Sequence, residues 1–168
     1  MFKKGANYRP VSLTSVLCKL LEHIITKNIM CHLEDNKLLV DSQHGFRAKR
    51  SCTSQVLNFV QELTVGLETG EQYDVHVMDF SKAFDRVPHM GLLKKLEYSG
   101  VTSCMLKWIK SFLHGRTQRV FVDGVASESS EVASGVLQGT VLGPILFLVY
   151  IINLPEYVAS STKLFAET

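Results

Sequence analysis

The run VLGPILFLVYIINL, Val141 to Leu154, constrains this chain more than any other stretch. Side chains this uniformly apolar must leave water, either in a bilayer or in a protein core. The run is shorter than the ~18 to 20 residues needed to cross a hydrocarbon layer, and Pro144 and Pro155 bracket it. It reads as a buried helix with Pro144 in the first turn, where a missing amide hydrogen removes no bond. A helix that is apolar all round needs other elements packed about it.

The rest of the sequence offers those elements. From Ser12 to Leu33 the pairs Val16 and Leu17, Leu20 and Leu21, Ile24 and Ile25, then Ile29 and Leu33, recur at the helical period, and Asn36 ends the run. A second helix is predicted from Ser51, with Val56, Phe59, Val60, Leu63 and Leu67 on one face and Gly70 as its stop. Met90, Leu92, Leu93 and Leu96 mark a short helix closed by Gly100. Met105, Leu106, Trp108, Ile109, Phe112 and Leu113 mark another, closed by Gly115. TQRVFVDGVASESSEVASGV predicts a hairpin turning at Asp123 and Gly124. With 168 residues, 46% of them hydrophobic, the chain can close a sizeable core, so disorder is excluded. The expected class is α+β, with helices packed against a small antiparallel sheet.

The formal charge of +2 permits a nucleic-acid partner without requiring one. The cysteines, Cys18, Cys31, Cys52 and Cys104, form no CxxC pair and follow no secretory signal, so they read as reduced thiols. None of the scattered histidines stands in zinc-ligand spacing.

Three segments carry candidate chemistry. VHVMDFSKAFDRV, Val75 to Val87, reads as a buried strand ending at Asp79, with Lys82 and Asp85 beyond. A carboxylate at a strand end suits a hard cation, although an aspartate there more often starts a turn. QHGFRAKRS, Gln43 to Ser51, gathers Arg47, Lys49 and Arg50; such a loop is usually a solvated turn, and guanidinium groups also match phosphate oxygens two at a time. SGVLQGTVLGP, Ser134 to Pro144, spaces Gly135, Gly139 and Gly143 around Gln138, and glycines let backbone approach a ligand closely. It is not a P-loop, because no Gly-Lys-Ser/Thr follows. Together, an acid at a strand end, cations for a triphosphate and a close backbone floor are what nucleotidyl transfer requires.

NYRPVSLTSVLCKLLEHII, QHGFRAKRSC, MDFSKAFDRVPH and GVLQGTVLGPILFLVYI follow one another in the order and approximate spacing of the reverse transcriptases of non-LTR, LINE-like retrotransposons. The resemblance runs from Asn7 to the C-terminus. It implies a right-hand polymerase fold of which this chain supplies the fingers (approximately 1–72) and a partial palm (73–168, with an interleaved fingers segment). It also implies an RNA template, a DNA primer and deoxynucleotides as partners, Mg2+ as cofactor, and no membrane. Asp79 would bind the metal, with a backbone carbonyl from Phe80. Phe84 would stand at the steric gate beneath the sugar, and Gln138 and Gly139 would lie along the nucleotide and template. Arg47 and Arg50 match the fingers segment expected near the triphosphate, with the choice between them open, and Asp85 stays open between a metal role and a bond to nearby backbone. The family's nuclear work implies an intracellular location, nuclear or cytoplasmic.

The departures point to lost activity. Where the family carries Phe/Tyr-Ala-Asp-Asp after a strand, the sequence reads TKLFAET, with Glu167 at the first acid and Thr168 at the second. Leu137 replaces the usual proline before Gln-Gly, and Asn153 stands where an aspartate is usual. Thumb and endonuclease segments are absent from these residues. Losing one electrostatic contact at a transition state costs ~2.7 to 4 kcal/mol, and a missing acid with a missing primer grip costs more. The expectation is a silent, truncated remnant, the alternative being a nucleic-acid-binding or protein-interaction module derived from it.

Overall fold

The computed structural model describes residues 11–165. Helix α1 spans Val16–Asp35 and opens later than the periodicity suggests, because Ser15 caps it by accepting the Cys18 amide hydrogen at 3.2 Å. Asn36 ends it as expected. Helix α2, Cys52–Glu68, begins with a reciprocal cap between Ser51 and Ser54. Helices α3 (His89–Tyr98) and α4 (Ser103–Leu113) stop before Gly100 and Gly115, as predicted, and α5 is Gly143–Ile151 with Pro144 in its first turn.

The core lies where α3 packs on α4 and α5. Leu92 and Leu96, Ile109 and Leu113, and Leu142, Leu146 and Val149 are fully enclosed, and Ile25, Ile29 and Leu33 of α1 join them. Each such side chain contributes roughly 1.5–3 kcal/mol relative to an exposed one, so this corner anchors the molecule. The Val141–Leu154 run is buried as its composition demands. Lys95 ties α3 to the end of α5 through the Tyr150 carbonyl and Asn153 Oδ1.

Asp123 and Gly124, both at positive φ (49° and 81°), make the predicted two-residue turn. Around it β2 (Phe121–Val122) pairs with β3 (Val125–Ala126), and β1 (Thr117–Gln118) pairs antiparallel with β4 (Ser130–Glu131). The class is α+β as expected, but all the strand residues are exposed, so the helices pack on one another and not on this sheet.

Two further expectations change. Val75 to Asp79 forms no strand: no described segment pairs with it, and Val77 (93% exposed) and Met78 (84%) face solvent. An isolated strand cannot bury its faces or satisfy its backbone without neighbours on its edges. On α2 the apolar face is largely exposed at Val56, Val60 and Leu67, while Gln55 and Gly66 are the buried positions. Gln55 is buried because its amide nitrogen donates to the Ser42 carbonyl at 3.0 Å. No helix among the described residues is long and apolar enough to cross a membrane.

Candidate functional site

The turn Phe84–Arg86 is one wall of the site, and two strap hydrogen bonds hold it. The Val136 amide donates to Phe84 O and the Gly135 amide to Val87 O, both at 2.8 Å. A Cβ on Gly135 would sit 2.9 Å from the Asp85 backbone, so only glycine admits this crossing. Ser134 Oγ donates to the Asp85 carbonyl at 2.9 Å, and the Asp85 amide donates to Lys82 O at 3.1 Å. Asp85 is thus held through its backbone. His89 Nε2 lies 2.9 Å from the Gly135 carbonyl in a buried position, which places the ring proton on that nitrogen.

The opposite wall is the turn before α5. Val11, Phe84, Gln138, Gly139, Thr140 and Pro144 line a cavity of about 220 Å³. Three residues picked out by the sequence, Phe84, Gln138 and Gly139, therefore meet around one space. The Phe84 ring is stacked on Phe147 of α5. Gly139 has a φ of +88°, and a side chain there would strike Val11 Cγ1 at 2.9 Å. The Ser12 amide closes this edge by donating to Gln138 O at 2.9 Å. Thr140 Oγ1 braces the turn, donating to Leu137 O at 2.8 Å and accepting from the Gly143 amide at 3.1 Å.

The other predicted residues do not converge on this cavity. Arg47 is nearly enclosed, with an 8% exposed side chain: Nε and Nη2 form a fork on Glu34 at 2.9 and 2.7 Å, and Nη1 donates to Val40 O at 2.9 Å. Its donors are committed to the fold. Arg50 is half-buried; its Nη2 pairs with the carboxylate of the exposed Asp41 at 2.7 Å and its Nη1 donates to the Asp41 carbonyl at 2.5 Å. Asp79 and Phe80 lie on the unpaired, exposed segment, and Glu167 and Thr168 lie outside the described residues. No group of three or more metal-ligating side chains occurs among the described residues, so these do not fit a magnesium centre by themselves. A larger open depression of about 540 Å³ beside α2 contains Glu62, Tyr73 and Lys163 and none of the predicted residues. The Glu62–Lys163 ion pair at 2.6 Å accounts for its polar wall.

Sequence reasoning missed Val11, Ser12, Thr140 and above all Glu22, a fully buried carboxylate on α1. Its signal was present as an acid in line with Cys18, Ile25 and Ile29 on the face that becomes buried. Burial and the neighbouring Glu22 push the Cys18 thiol up. The half-buried Arg116 guanidinium is pulled down by desolvation, against the opposing pull of Cys18 and Glu22.

A family profile described as reverse transcriptase (RNA-dependent DNA polymerase) matches residues 1–166. The chain is 36% identical over 150 residues to the RNA-directed DNA polymerase from mobile element jockey of Drosophila funebris, covering 89% of this chain and 16% of that protein. It is 32% identical over 154 residues to the "Probable RNA-directed DNA polymerase from transposon X-element" of Drosophila melanogaster, covering 92% of this chain and 17% of that protein. It is 28% identical over 144 residues to the Retrovirus-related Pol polyprotein from type-1 retrotransposable element R2 of Popillia japonica, covering 84% and 20%. This chain therefore spans about a sixth of the length of the first two relatives. With its motifs in order and the profile covering nearly every residue, the chain belongs to the reverse transcriptase (RNA-dependent DNA polymerase) family.

Proposed function

We propose that the chain is the fingers and partial palm of the RNA-directed DNA polymerase of a non-LTR retrotransposon. In this reading it carries the floor of the deoxynucleotide site, and the 168-residue polypeptide alone does not polymerise. The observation that carries the reading is the single cavity joining Phe84 to Gln138 and Gly139. A planar ring braced from behind suits the underside of a deoxyribose and leaves no room for a 2′-hydroxyl. A turn with a glycine at its apex lets a base and sugar lie against backbone. Arg50, bonded only to the exposed Asp41 through its side chain, would exchange that partner for a triphosphate, while Arg47 supports the loop that carries it.

The silence of the isolated polypeptide follows from charge and position. Two divalent cations need several carboxylates to offset their repulsion, and beside Asp79 the sequence supplies Glu167 and Thr168 in place of paired aspartates. RNA template and DNA primer are the partners in this reading, and magnesium is the cofactor of a completed site. The test is primer extension by the purified polypeptide on a primed RNA template with magnesium or manganese, together with dATP binding. Nucleotide binding without extension supports the reading. Extension that vanishes in Asp79→Asn overturns the silence. Tight, salt-resistant binding of RNA without nucleotide binding favours a derived nucleic-acid module.

A further inference from the structure

Glu22 has no part in the roles above, yet it is completely enclosed and sits on α1, more than a hundred residues from its backbone partners Val141 and Leu142. Its Oε2 accepts the amide hydrogens of Val141 at 2.8 Å and Leu142 at 3.1 Å, and its Oε1 accepts the Cys18 thiol hydrogen at 3.4 Å. The two amides stand at the entrance to α5, where backbone donors have no partner within the helix and the dipole favours an anion. A buried carboxylate is tolerated only when its oxygens are satisfied, and here they are.

This contact lies between the residues that form both walls of the cavity. Gln138, Gly139 and Thr140 immediately precede the clamped amides. Pro144 opens α5 on their other side, and Phe147, one turn further, carries the Phe84 ring. A shift at Val141 and Leu142 therefore moves the floor and the brace of the gate together. We infer that Glu22 is a positioning residue of the nucleotide site, its buried carboxylate fixing the turn that presents Gln138 and Gly139. The inference rests on reading those two residues as nucleotide-facing.

The alternative is a carboxylate that serves only to hold α1 on the core, and nucleotide affinity separates the two. Both amides use one oxygen, so Glu22→Gln retains the acceptor, whereas Glu22→Met retains the bulk without it. The experiment measures dATP affinity in magnesium buffer and amide hydrogen exchange over residues 138–142 on the full chain. Ile109→Val, on α4, serves as a core-destabilised control that leaves the Glu22 carboxylate and its bonds intact. Glu22→Met is expected to weaken dATP binding at least fivefold and to speed exchange at Val141 and Leu142 at least tenfold. Glu22→Gln should recover most of both, and Ile109→Val should leave affinity unchanged. Wild-type affinity in Glu22→Met, or an equal loss in Ile109→Val, overturns the inference while the floor reading stands. No dATP binding by the wild-type chain overturns the floor reading, and the inference with it. If Glu22→Met does not fold, Glu22→Asp keeps the charge and loses the reach; wild-type affinity in that variant also overturns the inference.

Discussion

The Phe84 ring stacks on the Phe147 ring with centroids 4.8 Å apart and planes 20° from parallel. One ring belongs to the turn after Asp79 and the other to the most deeply buried helix, so Phe84 is supported by the core. Replacing Phe84 by alanine removes a stacked pair and part of its burial. A loss of about 1.5–3 kcal/mol is expected in denaturant melts. In a chimaera that carries these residues in place of the matching segment of an active relative, the same change should relax the preference for deoxynucleotides over ribonucleotides.

The two arginines of the basic loop should separate by phenotype. Arg47→Ala strands the Glu34 carboxylate and two backbone carbonyls, Val40 and Gln43, and is expected to destabilise the fold by about 2 kcal/mol. Arg50→Ala breaks the pair with the exposed Asp41 carboxylate and one bond to the Asp41 carbonyl, so its stability should change by about 1 kcal/mol. Its dATP affinity should fall several-fold. The opposite pattern, a stable Arg47→Ala that loses nucleotide, would exchange their roles.

Lys95 and Asn153 give a pH-dependent prediction. Desolvation holds the Lys95 ammonium below the usual lysine range, and its side-chain partner at Asn153 carries no charge. Because the folded form releases this proton at lower pH than the unfolded form, stability should rise as pH climbs from the folded value toward that of a free lysine. Asn153→Asp supplies an anion beside the Lys95 ammonium. Thermal melts should show a gain of about 1 kcal/mol at neutral pH and a smaller alkaline increment than wild type.

Repairing the acids alone should not restore synthesis. Glu167→Asp with Thr168→Asp shortens one carboxylate and adds a second, but a primer end must also be held in line with the incoming nucleotide. Primer extension is expected only in the chimaera with a relative's palm and thumb, and there it should require Asp79. Synthesis by the repaired 168-residue chain alone would place the defect in charge and not in position.

Exposed apolar surface should govern handling of the protein. Leu13, Leu17, Leu20 and Ile24 near and along α1, and Val77 and Met78 beside Asp79, are all open to solvent. Leu17→Lys with Val77→Lys should raise the soluble fraction on expression and leave the thermal midpoint within a few degrees of wild type, as read by light scattering and melting.

What the sequence determined by itself was local. Ser51 starts a helix, Gly100 and Gly115 end two others, and Asp123–Gly124 turns a hairpin, because each outcome depends on the conformational chemistry of neighbouring residues. The burial of Val141 to Leu154 was equally legible, since no arrangement in water leaves that run exposed. Tertiary structure decided the rest. Val75 to Asp79 has the composition of a strand but forms none without a paired edge, and Arg47 looks free until Glu34 is folded against it. Glu22, which periodicity places among apolar neighbours, is buried because two amides 119 and 120 positions away need an acceptor. Pairings of that range are fixed by the packing of α1 against the α5 entrance, which no window of sequence contains.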